Sequence, residues 1–476
     1  MLRRTKIVAT LGPATDAPGV LEDVIRRGAD VVRVNFSHGK PGDHRKRVEA
    51  VRLAAAAVGK HVAVLGDLQG PKIRIERFAG GNAMLTEGEP FTLDPGLGAH
   101  EGTDRAVGMT YPDLATDVQA GDELILGDGQ IELRVVGVDG ARVECRVITG
   151  GELTDHKGIN RRGGGLSAKA LTDKDREDVR LAASLEVDYL AISFVRQADD
   201  VHEARTLLKA AGSDARIVAK IERSEAIPRL EEIIKASDAV MVARGDLGVE
   251  VGYAQLTGLQ KQILHMARGL DRVTITATQM MESMIHSPVP TRAEVSDVAN
   301  AVLDGSDAVM LSGESAVGKY PSRAVEAMAE VIEGAEKYQL ARTNRGERFE
   351  GRVTEFAQAI AHAVMHTANH MDVEAIVALT ESGSTPLWMS RIRSDIPIFA
   401  FTRHERTQRR VALYRGVYPI PFDTTPTDPA GLYRAISREL ISRGHVRPGD
   451  ELILTLGEFS GVSGGTNTMK LLTVEG

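Results

Sequence analysis

RIVAKIERSEAIPRLEEIIKASDAVMVARG, Arg216–Gly245, is the stretch whose reading decides the fold. Two short apolar runs, RIVAKIE and AVMVARG, flank a segment, SEAIPRLEEIIKA, whose apolar residues recur at helical spacing. Strand, helix and strand in that order read as a crossover unit joining parallel strands. The rhythm recurs on both sides. KIVATL, ADVVRVNF, HVAVLGD and VDYLAISF precede it and RVTITATQ and DAVMLS follow, giving eight candidate strands. Helix-like segments such as GDHRKRVEAVRLAAAAVG and TDKDREDVRLAASL lie between them, several opened by Ser, Thr or Asp as N-caps. Eight such units predict an α/β protein built on a (β/α)8 TIM barrel, a fold of ~250 residues.

The 476 residues exceed one such barrel, and two or three domains are expected. Between Pro71 and Ser167 the pattern changes to alternating strands and hairpin turns, as in EPFTLD and DELILGDGQIELRVVGVDGARVECRVI, with Asp128-Gly129 and Asp139-Gly140 as turn signals. This predicts a small all-β domain, a β-barrel lid, inserted after strand three. Beyond about Arg345 the α/β rhythm returns in AIVALT, PIFAFT, GVYPIPF and ELILTLG. The expected division is a barrel at 1–70 and 168–344, an insertion at 71–167 and a C-terminal α/β domain at 345–476.

A net charge of −8, with both signs mixed along the chain, argues against nucleic acid or a membrane as the main partner. No apolar run reaches membrane-spanning length, and MLRRTKIVAT lacks a signal-peptide core. Cys145 is the single cysteine, which excludes disulfides and Cys-ligated metal sites. A soluble cytoplasmic protein is expected.

In barrels of this kind the C-terminal strand ends face the active site. Strand two ends in Arg33, Asn35, Ser37 and His38; strand three in Asp67; strand four in Ser193. Strand five contributes Lys220 and Glu222, strand six Arg244 and Asp246, strand seven Thr278, and strand eight Ser312 and Glu314. Lys220 and Glu222, two apart, share a strand face, and Asp246 closes the next strand. Two carboxylates from adjacent strands suit Mg²⁺ or Mn²⁺, which take hard oxygen ligands. A structural ion pair between Lys220 and Glu222 is the plain alternative, and Lys220 also fits a Schiff-base role. Beside a metal, a fixed cation against developing negative charge is the better reading. Gly245 and the amides after it form a cradle for a carboxylate or phosphate, and Arg33 offers a forked phosphate donor. GESAVGKY, Gly313–Tyr320, fits a phosphate-loop pattern except that Tyr320 replaces the Ser or Thr that pattern needs, and it is set aside.

RTKIVATLGPAT, VVRVNFSHG, GDLQGPKIR, HKGIN, IVAKIERSEA, MVARGDLGVE, TATQMMESM and GESAVGKYP resemble the pyruvate kinase family in order, over essentially the whole chain. The resemblance implies phosphoryl transfer from phosphoenolpyruvate to ADP, giving pyruvate and ATP, with one divalent ion held by the protein and a second carried by the nucleotide. It implies that Glu222 and Asp246 are the metal ligands and that Lys220 neutralises the phosphoryl group and the enolate. Arg33 is implied to grip the phosphate, Gly245 and Asp246 to hold the substrate carboxylate, and Thr278 to stand near the methylene carbon. For the nucleotide it implies Asn35, His38, Arg74 and Lys157, with Thr10 and Pro13 as further candidates. TESGST, supplying Thr380, Ser382, Gly383, Ser384 and Thr385, resembles the loop that receives an activating phosphate ester; the Gly-rich GEFSGVSGGTN is expected to fold over the same pocket. The family resemblance further implies a homotetramer.

GDLQGPKIR departs from many members. They hold K⁺ near the positions of Asn35, Ser37 and Asp67 and carry Glu where this chain has Lys72. The resemblance is to the potassium-independent branch, in which the Lys72 ammonium takes the place of K⁺, so K⁺ is not expected to be required. Two other readings stay open: a metal-dependent aldolase or lyase using the same enolate-stabilising residues, and a silent metabolite sensor keeping only the C-terminal pocket.

Overall fold

The computed structural model describes residues 2–127, 129–340, 353, 355–423, 429–457 and 464–475. Asp128, the expected boundary at 344/345 and residues 458–463 of the Gly-rich stretch therefore lie outside the described residues.

All eight expected strands form. Lys6–Thr10, Val31–Asn35, Ala63–Asp67, Tyr189–Ile192, Arg216–Ile221, Ala239–Ala243, Val273–Ala277 and Ala308–Leu311 close into a parallel barrel, each strand neighbouring the next and the eighth pairing the first. Near-continuous apolar runs, rather than alternation, follow from burial on both faces. The segment SEAIPRLEEIIKA is not one helix. Pro228 lies inside a 3-10 stretch, Ser224–Arg229, and the α-helix runs only from Leu230 to Ala236. A proline has no N–H to give and its ring opposes the carbonyl four residues back.

By packing, the chain divides into two compact units. One comprises Met1–Gly66, Ser184–Leu190 and Leu264–Gly476; the other comprises Asp67–Ala183 and Ala191–Ile263. The second unit contains the insertion. Its strands make a six-stranded sheet and a separate two-stranded one. An isolated bridge, Arg74 to Gly158, ties its two ends together. A four-residue helix, Leu114–Asp117, interrupts the all-β pattern. Its core includes Phe91, Leu93, Leu124, Leu133, Val143 and Cys145, whose thiol burial pushes up to about 12.

In the first unit the C-terminal sheet runs Val417–Pro421, Ile398–Thr402, Ala375–Leu379, Glu451–Gly457, Thr466–Thr473. The last of these, antiparallel and at the edge, was not among the expected strands. The first four match the apolar runs read from the sequence.

Candidate active site at the barrel strand ends

Within the second unit the polar side chains converge on Lys220. It occupies barrel strand five, paired in parallel with strand six so that Lys220 stands opposite Met241. Its ammonium donates to Ser193 Oγ at 2.7 Å and lies 2.9 Å from Glu222 Oε1 and 3.3 Å from Asp67 Oδ1. The Ser193 hydroxyl in turn donates to the Leu68 carbonyl at 2.7 Å. Glu222 Oε2 accepts from the Phe194 amide at 2.7 Å. All four side chains are buried. A buried ammonium with this set of acceptors is held in one orientation, and its charge is exposed to little water. Burial pushes the Glu222 carboxyl up from its ordinary range, Lys220 opposes that, and the charge of Asp246 adds to it. Two carboxylates that disfavour each other's charge form a hard oxygen pair suited to a divalent cation. Among the described residues no group of three or more His, Cys, Asp or Glu is set to hold a metal. A pair of protein carboxylates fits Mg²⁺, which keeps several waters.

Asp246 belongs to the helix Arg244–Val251, which begins directly after barrel strand six. This matches the helical start expected at Gly245. Asp246 also borders a cavity of about 180 Å³ whose walls include Lys72, Arg74, Lys157, Arg223 and Glu250. Arg74 and Lys157 come from the two ends of the insertion and meet because Ile75 N donates to the Lys157 carbonyl at 3.0 Å. Four cations around one small cavity favour an anion with several negative oxygens. Glu250 stands against that trend; burial, reinforced by Glu225, pushes its carboxyl up to about 7 even though the Ser224 amide donates to it at 2.8 Å.

The turn that delivers Lys72 depends on Gly70. Its φ is +68°, and a Cβ there would meet Phe194 Cδ2 at 2.8 Å and Ser193 Cβ at 2.9 Å. Only glycine passes that close to the Lys220 anchor. The Lys72 side chain is exposed, whereas Asp67, five residues before it, is buried and paired with Lys220.

The first unit carries the other strand-end candidates. Arg33 is half-buried and donates to Thr10 Oγ1 at 3.2 Å, the two residues facing each other across strands one and two. Asn35 Oδ1 accepts from the Ser37 amide at 3.0 Å; His38 is exposed. Thr278 is half-buried with φ +71°, and its hydroxyl donates to the Ala277 carbonyl at 2.6 Å. A β-branched residue in the left-handed region is strained, and such strain gathers at functional sites. Pro13 opens a short 3-10 turn, Pro13–Thr15. Glu314, buried, accepts from the Ser312 and Met281 amides and is structural.

In the C-terminal sheet, Thr380 follows the strand Ala375–Leu379 and its hydroxyl accepts from Gly383 N at 2.9 Å. Gly383, at φ +83°, precedes the helix Ser384–Ser390. Ser382 and Ser384 share a hydrogen bond of 2.7 Å, and Thr385 bonds Thr466 at 2.8 Å. The loop is a cluster of small hydroxyls that satisfy one another. Thr466, at the end of the Gly-rich stretch, is described and bonds the loop through its hydroxyl.

Sequence reading placed Ser193 and Asp67 on the polar ring but did not identify them as the partners of Lys220. Only the closure of the barrel brings them together, and no local spacing encodes it.

Models of the pyruvate kinase barrel domain and of the pyruvate kinase alpha/beta domain match residues 2–325 and 358–472. The chain is 53% identical to pyruvate kinase II of Salmonella typhimurium, over 100% of this chain and 99% of the relative. It is 50% identical to a pyruvate kinase of Haemophilus influenzae, with the same coverage, and 42% identical to one of Mycobacterium tuberculosis over 98% of each.

Proposed function

The chain belongs to the pyruvate kinase family and is a phosphotransferase, and we propose that it moves the phosphoryl group of phosphoenolpyruvate to ADP with the side chains described above. The observation that carries the reading is the buried ammonium of Lys220, oriented by Ser193, Glu222 and Asp67 at a strand end. In the reaction the ester P–O bond of phosphoenolpyruvate breaks as a bond forms to a terminal oxygen of ADP. The electron pair left on the enolate oxygen is stabilised by the fixed charge of Lys220, which acts most where charge develops. Arg33 grips the phosphate, and the Gly245 and Asp246 amides hold the carboxylate. Thr278, with water, delivers the proton to the methylene carbon, giving pyruvate.

Glu222 and Asp246 would hold Mg²⁺ or Mn²⁺, which supplies charge to the phosphoryl oxygens. Asn35, His38, Arg74 and Lys157 bind the nucleotide. The insertion, 71–167, acts as a lid over a barrel at 1–70 and 168–344; the cationic walls contributed by both of its ends support this. A lid that closes excludes water from the transfer.

Lys72 takes the place of K⁺, so no monovalent cation is required. What supports this reading is the lysine itself, which stands at position 72 beside the cationic cavity. The C-terminal domain, 345–476, receives an activating phosphate ester at Thr380, Ser382, Gly383, Ser384 and Thr385, and the enzyme works as a cytoplasmic homotetramer. Among the described residues no helix is long and apolar enough to cross a membrane.

A coupled assay with phosphoenolpyruvate, ADP and Mg²⁺ in potassium-free buffer tests the reading. Pyruvate formation that requires ADP supports it. Cleavage without ADP would point to a lyase, and no turnover to a sensor.

A further inference from the structure

Arg223 follows Glu222 just past the end of barrel strand five and is only 3% exposed. Its backbone is still extended, at φ −117° and ψ 146°, so its side chain leaves on the face opposite Glu222. That face looks towards the insertion. Nη1 donates to the carbonyl of Leu166, near the insertion's end, at 3.0 Å, and the guanidinium stands 5.3 Å from the centre of the Phe194 ring. Nε is enclosed without a partner. Among the described residues no carboxylate forms an ion pair with this guanidinium. Glu250 feels its charge from further off, and burial pushes that carboxyl up to about 7. Arg4 and Arg391, also buried, each hold a carboxylate, Glu336 and Asp307 respectively. Arg223 has no such counter-charge.

A buried charge left uncompensated destabilises the fold that contains it, so its presence asks for an anion that the chain itself does not supply. The surroundings say which anion. Arg223 stands in the wall of the cavity that Arg74 and Lys157 also line, and all three belong to the same compact unit. Lys220 and Glu222 lie on the other face of the strand, so Arg223 faces the cations of the insertion and not the buried ammonium. We propose that Arg223 is a phosphate-binding residue of the nucleotide site, donating from its guanidinium to the diphosphate of a nucleoside diphosphate beside Arg74 and Lys157. The proposal rests on the reading of this cavity as the nucleotide site. Leu166 and Phe194 hold the guanidinium plane from two sides, which orients it before the ligand arrives. A diphosphate brings the several negative oxygens that three converging cations require.

The plain alternative is that Arg223 only clamps the Leu166 carbonyl, and two variants separate the roles. Arg223→Gln can still donate to a carbonyl but carries no charge; Arg223→Lys keeps the charge as a compact ammonium that cannot serve the carbonyl and a phosphate together. Inorganic pyrophosphate, titrated by calorimetry, probes the site without turnover. It should bind the unaltered enzyme, with a dissociation constant that rises about tenfold or more in Arg223→Gln and by a smaller factor in Arg223→Lys. In steady-state assays KM for ADP should rise by a similar factor in Arg223→Gln, while KM for phosphoenolpyruvate changes less than about twofold. Without ligand, Arg223→Gln should melt no lower than the unaltered chain, because the substitution removes an uncompensated buried charge. A lower melting temperature with pyrophosphate binding intact would make Arg223 a clamp and overturn the assignment. Pyrophosphate that fails to bind the unaltered enzyme would overturn it as well. Consumption of phosphoenolpyruvate that ignores ADP, with pyrophosphate binding still dependent on Arg223, would instead overturn the reading of the reaction and leave the phosphate contact standing.

Discussion

Two lysines close in space to the same turn differ in every physical respect. Lys220 is buried, on a strand, and held by Ser193, Glu222 and Asp67. Lys72 is exposed, follows a glycine turn, and borders an open cavity with Arg74 and Lys157. The first is oriented before any ligand arrives, at the expense of desolvation that its two carboxylates offset. The second takes its position from whatever binds. A preorganised charge contributes to the rate of the chemical step, whereas an adaptable one contributes mainly to assembling the site.

That contrast is broken most severely by Lys220→Met. The expected loss is about 10²–10³-fold or more in kcat, with phosphoenolpyruvate binding largely kept. A raised KM at unchanged kcat would make Lys220 a mere binding residue and erase the distinction. Lys72→Glu should cost less, roughly 10- to 100-fold, and should regain part of its activity when K⁺ is added, because an exposed charge can be replaced by a diffusible one. An unaltered enzyme that needs K⁺ for activity would show that Lys72 does not fill that role.

Away from the two lysines, Thr380→Ala combined with Ser384→Ala should abolish activation by a phosphate ester and leave basal turnover in place; a fully retained response would move the effector elsewhere. The smallest effect concerns Glu250, one of two acids in the wall of the cationic cavity. Its carboxyl rises from 4.5 to about 7 on folding, so between these values the folded chain binds more protons than the unfolded one. Stability therefore falls as pH rises through that window. Glu250→Gln should raise the melting temperature by about 2–4 °C at pH 8 relative to the native chain, with the gap shrinking towards pH 5. An equal gap at both values would mean that Glu250 is not the titrating group.

The barrel was legible because burial on both faces writes each strand as an apolar run, and because crossover helices separate the runs at regular intervals. The candidate chemistry was legible for the same reason: polar residues stand out at the ends of such runs. What escaped was whatever depends on closure or on an edge. Ser193 and Lys220 are 27 positions apart and meet only when strands four and five pair. The edge strand Thr466–Thr473 carries mostly exposed residues and starts in a glycine-rich stretch, so it has no apolar run to read. How the strands of the insertion pair was not legible either, because alternation fixes which face a side chain takes, not which strand finds which partner.

Cys145 gives the molecule a reporter of its own. As the sole thiol, enclosed in the core of the insertion and held protonated by burial up to about 12, it is inert towards alkylating and disulfide reagents while that core stays shut. The rate at which a chromogenic disulfide modifies the native enzyme therefore clocks the opening of the insertion alone. A single unaltered chain thus carries a kinetic probe of one domain's breathing, and added nucleotide should slow that clock if the insertion closes on it.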